Sequence, residues 1–332
     1  MAPTQDVSYA RPHRLYDFPD HRRYRALDVY LKETFGTKVY KIALDGGMSC
    51  PNRDGTLGTG GCIFCSGGGS GEFAASRRLS VTEQIDSQIA LAKAGQTHAS
   101  TAYIAYFQAY TNTYAPVDVL ERLFTEAILD PRICALSIAT RPDCLPDETI
   151  QLLTDLQKQK PVWIELGLQT IHEKTAQYIR RGYPLSCFTD TVARLHAAGL
   201  SDIIVHTILG LPGETEADVL DTVRFLNTQS IQGIKLQLLH VLQHTDLATD
   251  WKRGVFETLT QTQYTDLVIH CLEILSPDIV IHRLTGDGPK NLLLAPTWSL
   301  HKRNVLNGIL HELKTRDTWQ GRCYSSDIFC EP

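Results

Sequence analysis

The sequence lacks the features of a secreted, membrane-spanning or disulfide-stabilised protein. No apolar segment of the kind that directs secretion stands near its start, and no stretch approaches the roughly 18 apolar residues that a membrane span needs. Its nine cysteines are odd in number and scattered along the chain, which does not suit the disulfide framework of a small secreted domain. We therefore expect a cytoplasmic protein without membrane contact, in which closely spaced cysteines indicate a metal site.

An excess of positive charge is also missing. The 332 residues carry a formal net charge of -5, which argues against a surface that is basic overall. One local exception lies between Arg11 and Arg25, where five arginines alternate with histidines and tyrosines. This segment predicts either a solvated N-terminal face or an arm that contacts phosphate groups.

Repeats of solenoid length and long low-complexity tracts are absent too, so the order of predicted elements carries the fold prediction. Short β-branched runs predict six strands, at Val39–Leu44, Thr101–Phe107, Ile133–Thr140, Val162–Leu168, Ile203–Leu209 and Ile234–His240. Most of these runs precede a helical pattern, and strands that alternate with helices pair in parallel through right-handed crossovers. The sequence therefore predicts an α/β barrel, partial or complete, in residues 36–245, with an N-terminal extension (1–35) and a C-terminal extension (246–332) packed on the barrel.

Three cysteines lie in one glycine-rich loop that follows the first predicted strand. Cys62 and Cys65 form a Cys-x2-Cys pair, and Cys50 precedes them in the same loop. Together they supply three of the four ligands of a cubane iron-sulfur cluster and leave one iron open. A structural zinc site would need a fourth ligand nearby, and a redox-active Cys-x2-Cys pair would leave Cys50 unexplained. The pattern favours a 4Fe-4S cluster.

This loop and four further motifs resemble the radical S-adenosylmethionine (SAM) superfamily, in its YhcC/YtqA-type branch, which is related to the Elongator catalytic subunit. The motifs are CPNRDG through GCIFC (50–65), ATRPDC (139–144), ELGLQT (165–170), GLPGE (210–214) and HRLTGDGP (282–289). The eleven residues between Cys50 and Cys62 are typical of this branch, whereas the superfamily's commonest spacing is three.

The resemblance implies a partial (βα)6-type TIM barrel and a shared chemistry. A 4Fe-4S cluster on Cys50, Cys62 and Cys65 binds SAM at its open iron and receives an electron from a reducing protein such as flavodoxin or ferredoxin. SAM then breaks, and the 5'-deoxyadenosyl radical takes a hydrogen atom from the substrate. The protein's part is to orient these groups and to exclude water.

The resemblance also implies a set of SAM contacts near the carboxyl ends of the strands. They are Gln108, Asn112, Glu165, Gln169, Arg181, Ile208 and Glu214. A buried Glu165 needs a cationic or hydrogen-bonding partner, which could be SAM or a nearby arginine of the protein. Arg181 suits the SAM carboxylate as a planar bidentate donor, with Arg180 as the solvated alternative. Ile208 could pack on adenine or simply in the core, and we expect His206 to be a core histidine.

Further polar residues follow the predicted strands without an assigned role. Ser137, Thr140 and Arg141 are candidate ribose or substrate contacts, and the loop 282–289 is expected to face the barrel mouth. No residue is assigned as catalytic.

The substrate prediction depends on two hints. The Elongator catalytic subunit modifies wobble uridines, so the resemblance implies a tRNA base as substrate. The arginine-rich segment 11–25 offers the cations and flat rings that single-stranded RNA recognition uses. The alternatives are a small-molecule substrate and a non-catalytic iron-sulfur electron-transfer protein, which would need four protein ligands on its cluster.

Overall fold

The structure is a computed structural model that describes residue 18 and residues 22–94 and 102–325. Its helices are α1 (Leu27–Phe35), α2 (Val81–Ala94), α3 (Val117–Leu129), α4 (Asp147–Gln157), α5 (Glu173–Tyr178), α6 (Leu185–Ala197), α7 (Glu216–Leu226), α8 (Asp246–Lys252), α9 (Gln261–Ile274) and α10 (Lys302–Thr315). Its strands are β1 (Val39–Leu44), β2 (Ala102–Phe107), β3 (Ile133–Thr140), β4 (Val162–Gln169), β5 (Ile203–Leu209), β6 (Gly233–Leu238), β7 (Val241–Leu242), β8 (Val280–Arg283) and β9 (Leu293–Ala295).

A curled parallel sheet forms the centre of the molecule. Its seven strands pair in the order β1-β2-β3-β4-β5-β6-β8, and every pairing is parallel. The six predicted strands are all present in chain order, with bounds that differ by at most two residues within the described part of the chain. The α/β partial barrel is therefore confirmed.

The sheet has one strand more than the six predicted from the sequence. β8 pairs in parallel with β6 and comes from the segment assigned above to the C-terminal extension. With four residues it is too short to give a strong strand pattern. Part of the predicted extension thus belongs to the barrel sheet itself.

Helices cover the outer face of the sheet because alternate strand residues are apolar on that side. Ile42, Phe107, Ile138, Leu166 and related side chains pack with the helices in one large buried cluster. The opposite alternate residues point into the barrel. No helix in the described ranges is both long and apolar enough to cross a membrane.

The interior of the barrel is built in layers, because residues two apart on a strand face the same side. The layer at the amino ends of the strands is an apolar plug of Val39, Ile104, Ala135, Trp163 and Ile204, which pack with Leu31 of α1. Helix α1 contacts both edge strands, β1 and β8. The N-terminal segment therefore closes the base of the barrel and leaves the carboxyl ends of the strands open.

Candidate active site at the open end of the barrel

A cavity of about 650 Å³ opens at the carboxyl ends of the strands. Eight of the ten residues predicted for the cluster and SAM line it. They are Cys50, Cys62, Cys65, Gln108, Glu165, Gln169, Arg181 and Ile208. Residues that are widely separated in sequence therefore meet in one space, as expected for an open α/β barrel.

Asn112 and Glu214 are the two predicted residues that do not line this cavity. Asn112 is fully buried and donates from Nδ2 to the carbonyl of Ala139 at 2.9 Å, while its Oδ1 has no partner within the described residues. Burial raises the pKa of Glu214, and its Oε1 likewise has no partner in that part of the chain. Their contact with SAM stays a prediction.

The cysteine loop is held by the two residues that follow Pro51. Asn52 is buried, and its Nδ2 donates to the Arg180 carbonyl at 2.6 Å and lies 3.4 Å from Cys62 Sγ. Arg53 donates to the carbonyls of Cys65 and Ser66 at 2.8 and 2.7 Å. Side chains near the start of the loop thus position the two cysteines at its end.

The thiols have the chemistry of metal ligands in a partly buried site. Burial raises the pKa of Cys62 to about 11, and the pKa of Cys65 is also raised by burial against the opposing charge of Arg53. A bound metal cation compensates this penalty, since thiolate is the ligating form. Arg141 adds positive charge, with Nη1 4.0 Å from Cys50 Sγ.

The described residues contain no group of three His, Cys, Asp or Glu side chains arranged around a single metal ion. A cubane cluster has a different requirement, because each cysteine binds a different iron and the thiols need only surround a shared space. Cys50, Cys62 and Cys65 line such a space. The donor set therefore fits a cluster with three protein ligands.

Below the cysteines, a ring of polar side chains crosses the barrel interior. Each of six strands contributes one residue, namely Lys41, Tyr106, Ser137, Glu165, His206 and Lys235 from β1 to β6 in turn. We call these six residues the polar ring. On β1 to β5, each ring residue follows a residue of the apolar plug by two positions, and Lys235 of β6 is in register with His206. All six therefore share one layer.

Glu165 is the centre of the polar ring. Its carboxylate is fully buried and accepts hydrogen bonds from Lys41 Nζ at 2.5 Å, Ser137 Oγ at 2.6 Å and His206 Nε2 at 2.6 Å. Lys235 Nζ forms a further ion pair with it. The expectation of a cationic partner is confirmed, but the partners are lysines and a histidine where an arginine or SAM was proposed.

The charges in the ring are set by burial and by Glu165. Burial by itself raises the pKa of Glu165, but Lys235, Lys41 and the hydrogen bond from His206 together hold it well below its usual range. Burial lowers the pKa of Lys235 to about 7 and that of His206 to about 4. At neutral pH the ring therefore holds a carboxylate, a neutral His206, and a Lys235 near its titration point.

Two neighbouring arginines differ as predicted in exposure. Arg180 is partly exposed and pairs with Asp246, while Arg181 is buried and lines the cavity. Arg181 donates to the carbonyls of Leu168, Thr170 and Tyr183 and pairs with Glu173 at 3.3 Å. Most of its donors thus hold the chain after β4, and its contact with SAM stays a prediction.

Strained backbone surrounds the cavity. Ala109 and Tyr110 after β2 and Gln169 at the end of β4 have positive φ angles of 86°, 58° and 68°. Such conformations are uncommon for residues other than glycine and concentrate at functional sites. All three residues line the cavity.

The arginine-rich N-terminal segment is partly described. Arg22 pairs with Asp28 at 2.7 Å and Arg23 with Asp317 at 2.9 Å, while Arg25 donates to the carbonyl of Asp278 at 3.1 Å. These three arginines therefore attach the segment to α1 and the C-terminal part of the chain. Arg11 and Arg14 lie outside the described residues.

The loop 282–289 faces the cavity, as predicted from its motif, and contributes His282, Arg283 and Asp287. Lys41 and Lys235 were not predicted from the sequence as site residues. Asn52 and Arg53 were quoted as part of a motif without a role. For Lys41 and Lys235, the available signal was a lysine within an otherwise apolar strand, YKI and IKL.

Comparison with known proteins gives a consistent result. The model of the radical SAM superfamily matches residues 55–226, and that of the Radical_SAM C-terminal domain matches residues 231–315. The uncharacterized protein YtqA of Bacillus subtilis is 43% identical over 91% of this chain and 93% of its own length. Protein YhcC of Escherichia coli is 38% identical over 81% of this chain and 85% of its own length.

A solved structure of Elp3 from the archaeon Methanocaldococcus infernus has the same fold at 17% identity, with a TM-score of 0.64. The match covers 85% of this chain and 64% of that one. The family-model matches and the two sequence relatives lead to one conclusion: this chain belongs to the radical SAM superfamily, in the branch that contains YtqA and YhcC.

Proposed function

We propose that Cys50, Cys62 and Cys65 hold the 4Fe-4S cluster of this radical SAM enzyme, and that SAM binds beneath it in the cavity. The observation that carries the proposal is the convergence of three thiols and five predicted SAM contacts on one cavity. When bound, the cluster and SAM supply the electron and the 5'-deoxyadenosyl radical. A reduced flavodoxin or ferredoxin in the cytosol is the proposed electron source.

The chain's own residues hold and shield these groups. Asn52 and Arg53 fix the loop that carries Cys62 and Cys65. Gln169 and Ile208 line the cavity beside the loop, and Ile208 belongs to an apolar cluster with Ile63 that limits access of water. A dry, prearranged cavity prevents side reactions of a radical.

The test is anaerobic reconstitution with iron and sulfide. We expect about four irons per chain, and reduced protein should convert SAM to 5'-deoxyadenosine. A preparation that binds four irons yet leaves SAM intact would contradict the proposed SAM site. A preparation that binds no cluster would contradict the cysteine assignment.

We further propose that the substrate is a tRNA base, a modified uridine at the wobble position. Support comes from the relationship of this branch to the Elongator catalytic subunit and from the mouth of the cavity. Phe73 is 55% exposed and Leu300 is 37% exposed, and both line the cavity together with the exposed Lys290. An exposed ring and an exposed cation that line one cavity are the kinds of group that bind an unstacked base and its phosphate.

Nucleoside analysis of tRNA from cells with and without the gene tests this substrate class. A modified uridine should change to its precursor in the deletion strain and return with the wild-type gene. In vitro, Phe73→Ala should weaken tRNA binding by about 1 to 3 kcal/mol if a base stacks on the ring, with Leu129→Ala as an exposed apolar control away from the cavity. Unchanged tRNA nucleosides would favour a small-molecule substrate.

A further inference from the structure

The cavity has a charge opposite to that of the whole chain. Among the described residues, eight lysines and arginines and three carboxylates line it, an excess of five positive charges, whereas the chain carries -5. Several of these cations have partners near the mouth: Lys302 pairs with Asp287 at 2.6 Å, and Arg141 with Asp143 at 2.7 Å. Part of the excess that remains lies in the polar ring, where Lys41 and Lys235 share Glu165.

At the polar ring, two ammonium groups share one carboxylate. Lys41 and Lys235 both pair with Glu165, and Arg283 from β8 adds a third positive charge nearby, 3.6 Å from Asp287. His206 and His282 do not supply negative charge, and burial favours their neutral forms. Neutralising one lysine with Glu165 leaves the other lysine without a counter-charge in the ring.

An uncompensated buried charge costs several kcal/mol, as an order of magnitude. The protein can reduce this cost by releasing a proton or by admitting an anion. Lys235, whose side chain is 6% exposed, has the lowered pKa that the first route implies. The second route needs space beside the lysines.

That space lies directly above the ring. The next inward-facing residues towards the cysteines on β1, β3 and β4 are Ala43, Ala139 and Gly167, all of which line the cavity. Lys41 and Lys235 line the same cavity as the three cysteines, with small residues between them on β1 and β3 and the Gln169 side chain beside Gly167. One layer of a strand spans roughly 6.6 Å, so a group at the ring lies about that distance below this layer.

We propose that Lys41 and Lys235 form an anion-binding site at the base of the cavity, which takes a carboxylate or phosphate carried by the part of the substrate that enters the barrel. The proposal rests on the proposed function in one respect, that this cavity receives the substrate. It adds the chemical class of the group that is recognised. Both lysines present ammonium donors, which bind either oxyanion through charge-assisted hydrogen bonds.

Lysine NMR on the reconstituted wild-type protein tests the site directly. Side-chain 13C-labelled lysines are titrated with pH in sodium chloride, and again with sodium acetate or inorganic phosphate at the same ionic strength. An anion bound between the lysines should raise the pKa of Lys235 by about one unit or more, because a close opposite charge favours the ammonium form. A shift with acetate alone indicates a carboxylate group, and one with phosphate alone indicates a phosphate group.

The signal of Lys235 is assigned by its loss in Lys235→Met, or in Lys235→Gln if the first variant does not fold. Lys252, exposed on α8, is the matched control, and its signal should respond to neither anion. Identical titration of Lys235 in chloride, acetate and phosphate would overturn the proposal.

SAM also carries a carboxylate, so its affinity must be measured on the same variants. We expect Lys235→Met to bind SAM within twofold of the wild type, because Gln108, Gln169 and Ile208 lie above the ring. Glu165, the predicted SAM contact within the ring, keeps its bonds to Lys41 and His206 in this variant. A tenfold loss of SAM affinity would mean that the lysines serve SAM, which overturns the substrate proposal. Normal cluster content and SAM cleavage in the wild type, with no anion response, would refute the anion site and leave the proposed function intact.

Discussion

The cysteine loop and the polar ring line the same cavity but are built in different ways. The loop is a continuous segment, Cys50 to Cys65. Asn52 and Arg53 within it hold its conformation through hydrogen bonds to carbonyl groups and a thiol. The ring collects one residue from each of six strands, between Lys41 and Lys235, around a single carboxylate. The ligands of the loop therefore come from one local segment, whereas the curling of the sheet builds the ring.

The largest expected effect is on the iron content, which should depend on the loop and not on the ring. Cys62→Ser should strongly lower the cluster content, because a serine hydroxyl is a much poorer ligand to iron than a thiolate. Lys235→Met should keep the full iron content, since the ring lies below the loop. Iron analysis and visible absorbance after anaerobic reconstitution measure both.

Cys187→Ser is the matched control for this experiment, because Cys187 is a half-buried free thiol outside the cavity lining. Its iron content should equal that of the wild type. A full iron content in Cys62→Ser and also in Cys62→Ala would contradict the assignment of Cys62 as a cluster ligand.

The next effect concerns the stability of the fold and comes from the polar ring. Glu165→Ala removes the counter-charge of Lys41 and Lys235 inside the barrel, so we expect a loss of about 3 to 5 kcal/mol in the free energy of unfolding. Urea unfolding followed by circular dichroism measures it. Asp155→Ala breaks the exposed pair with Lys158 and should leave the unfolding midpoint unchanged. An equally small change for Glu165→Ala would mean that the ring is hydrated.

This contrast explains what could be predicted from the sequence. The cysteine spacing is a local pattern, and the six β-branched runs gave strands within two residues of the observed bounds. Lys41 was not predicted as a site residue because alternation along a strand does not tell the inside of a barrel from solvent. A lysine at an alternate position fits either side, and the direction in which the seven-stranded sheet curls decides which.

The same limit applies to ion pairs between distant segments. The sequence predicted that Glu165 needs a cation, since a buried carboxylate is costly, but Lys41 and Lys235 lie 124 and 70 residues away. The strand β8 was missed as a member of the sheet because its four residues owe their conformation to pairing with β6. Tertiary context, rather than local propensity, fixes both features.

A smaller effect distinguishes two arginines at the mouth of the cavity. Arg181 uses its donors on carbonyl groups and Glu173, whereas Arg141 keeps Nη1 beside Cys50 while its other nitrogens bind Asp143. We expect Arg141→Ala to weaken SAM binding by about 1.5 to 3 kcal/mol, the usual value for a hydrogen bond to a charged group. Arg181→Ala should lower the free energy of unfolding, since it leaves buried carbonyl groups without hydrogen-bond donors.

Equilibrium dialysis with reconstituted protein measures SAM affinity, and urea unfolding measures stability. Arg180→Ala, at the partly exposed neighbour, is the control for both readings. Loss of SAM affinity in Arg181→Ala at wild-type stability, with no loss in Arg141→Ala, would favour Arg181 as the residue that binds the SAM carboxylate.

The smallest effect is a pH dependence that belongs to the ring alone. The pKa of Lys235 is about 7 in the folded protein and 10.5 as its ordinary value. Between these two values the unfolded chain holds up to one proton more, so the stability of the wild type should rise with pH relative to Lys235→Met, by about 1.4 kcal/mol per pH unit at most. The groups that face Lys235 are Lys41, Tyr106, Glu165, His206, His282 and Arg283, and they are present in both proteins. Urea unfolding of both proteins at pH 7, 8 and 9 gives the difference, and Lys252→Met should show none. A difference that stays constant over this range would mean that Lys235 remains an ammonium group, and the polar ring would then be a fixed ion-pair network, whereas hydrogen bonds to carbonyl groups and a thiol hold the cysteine loop.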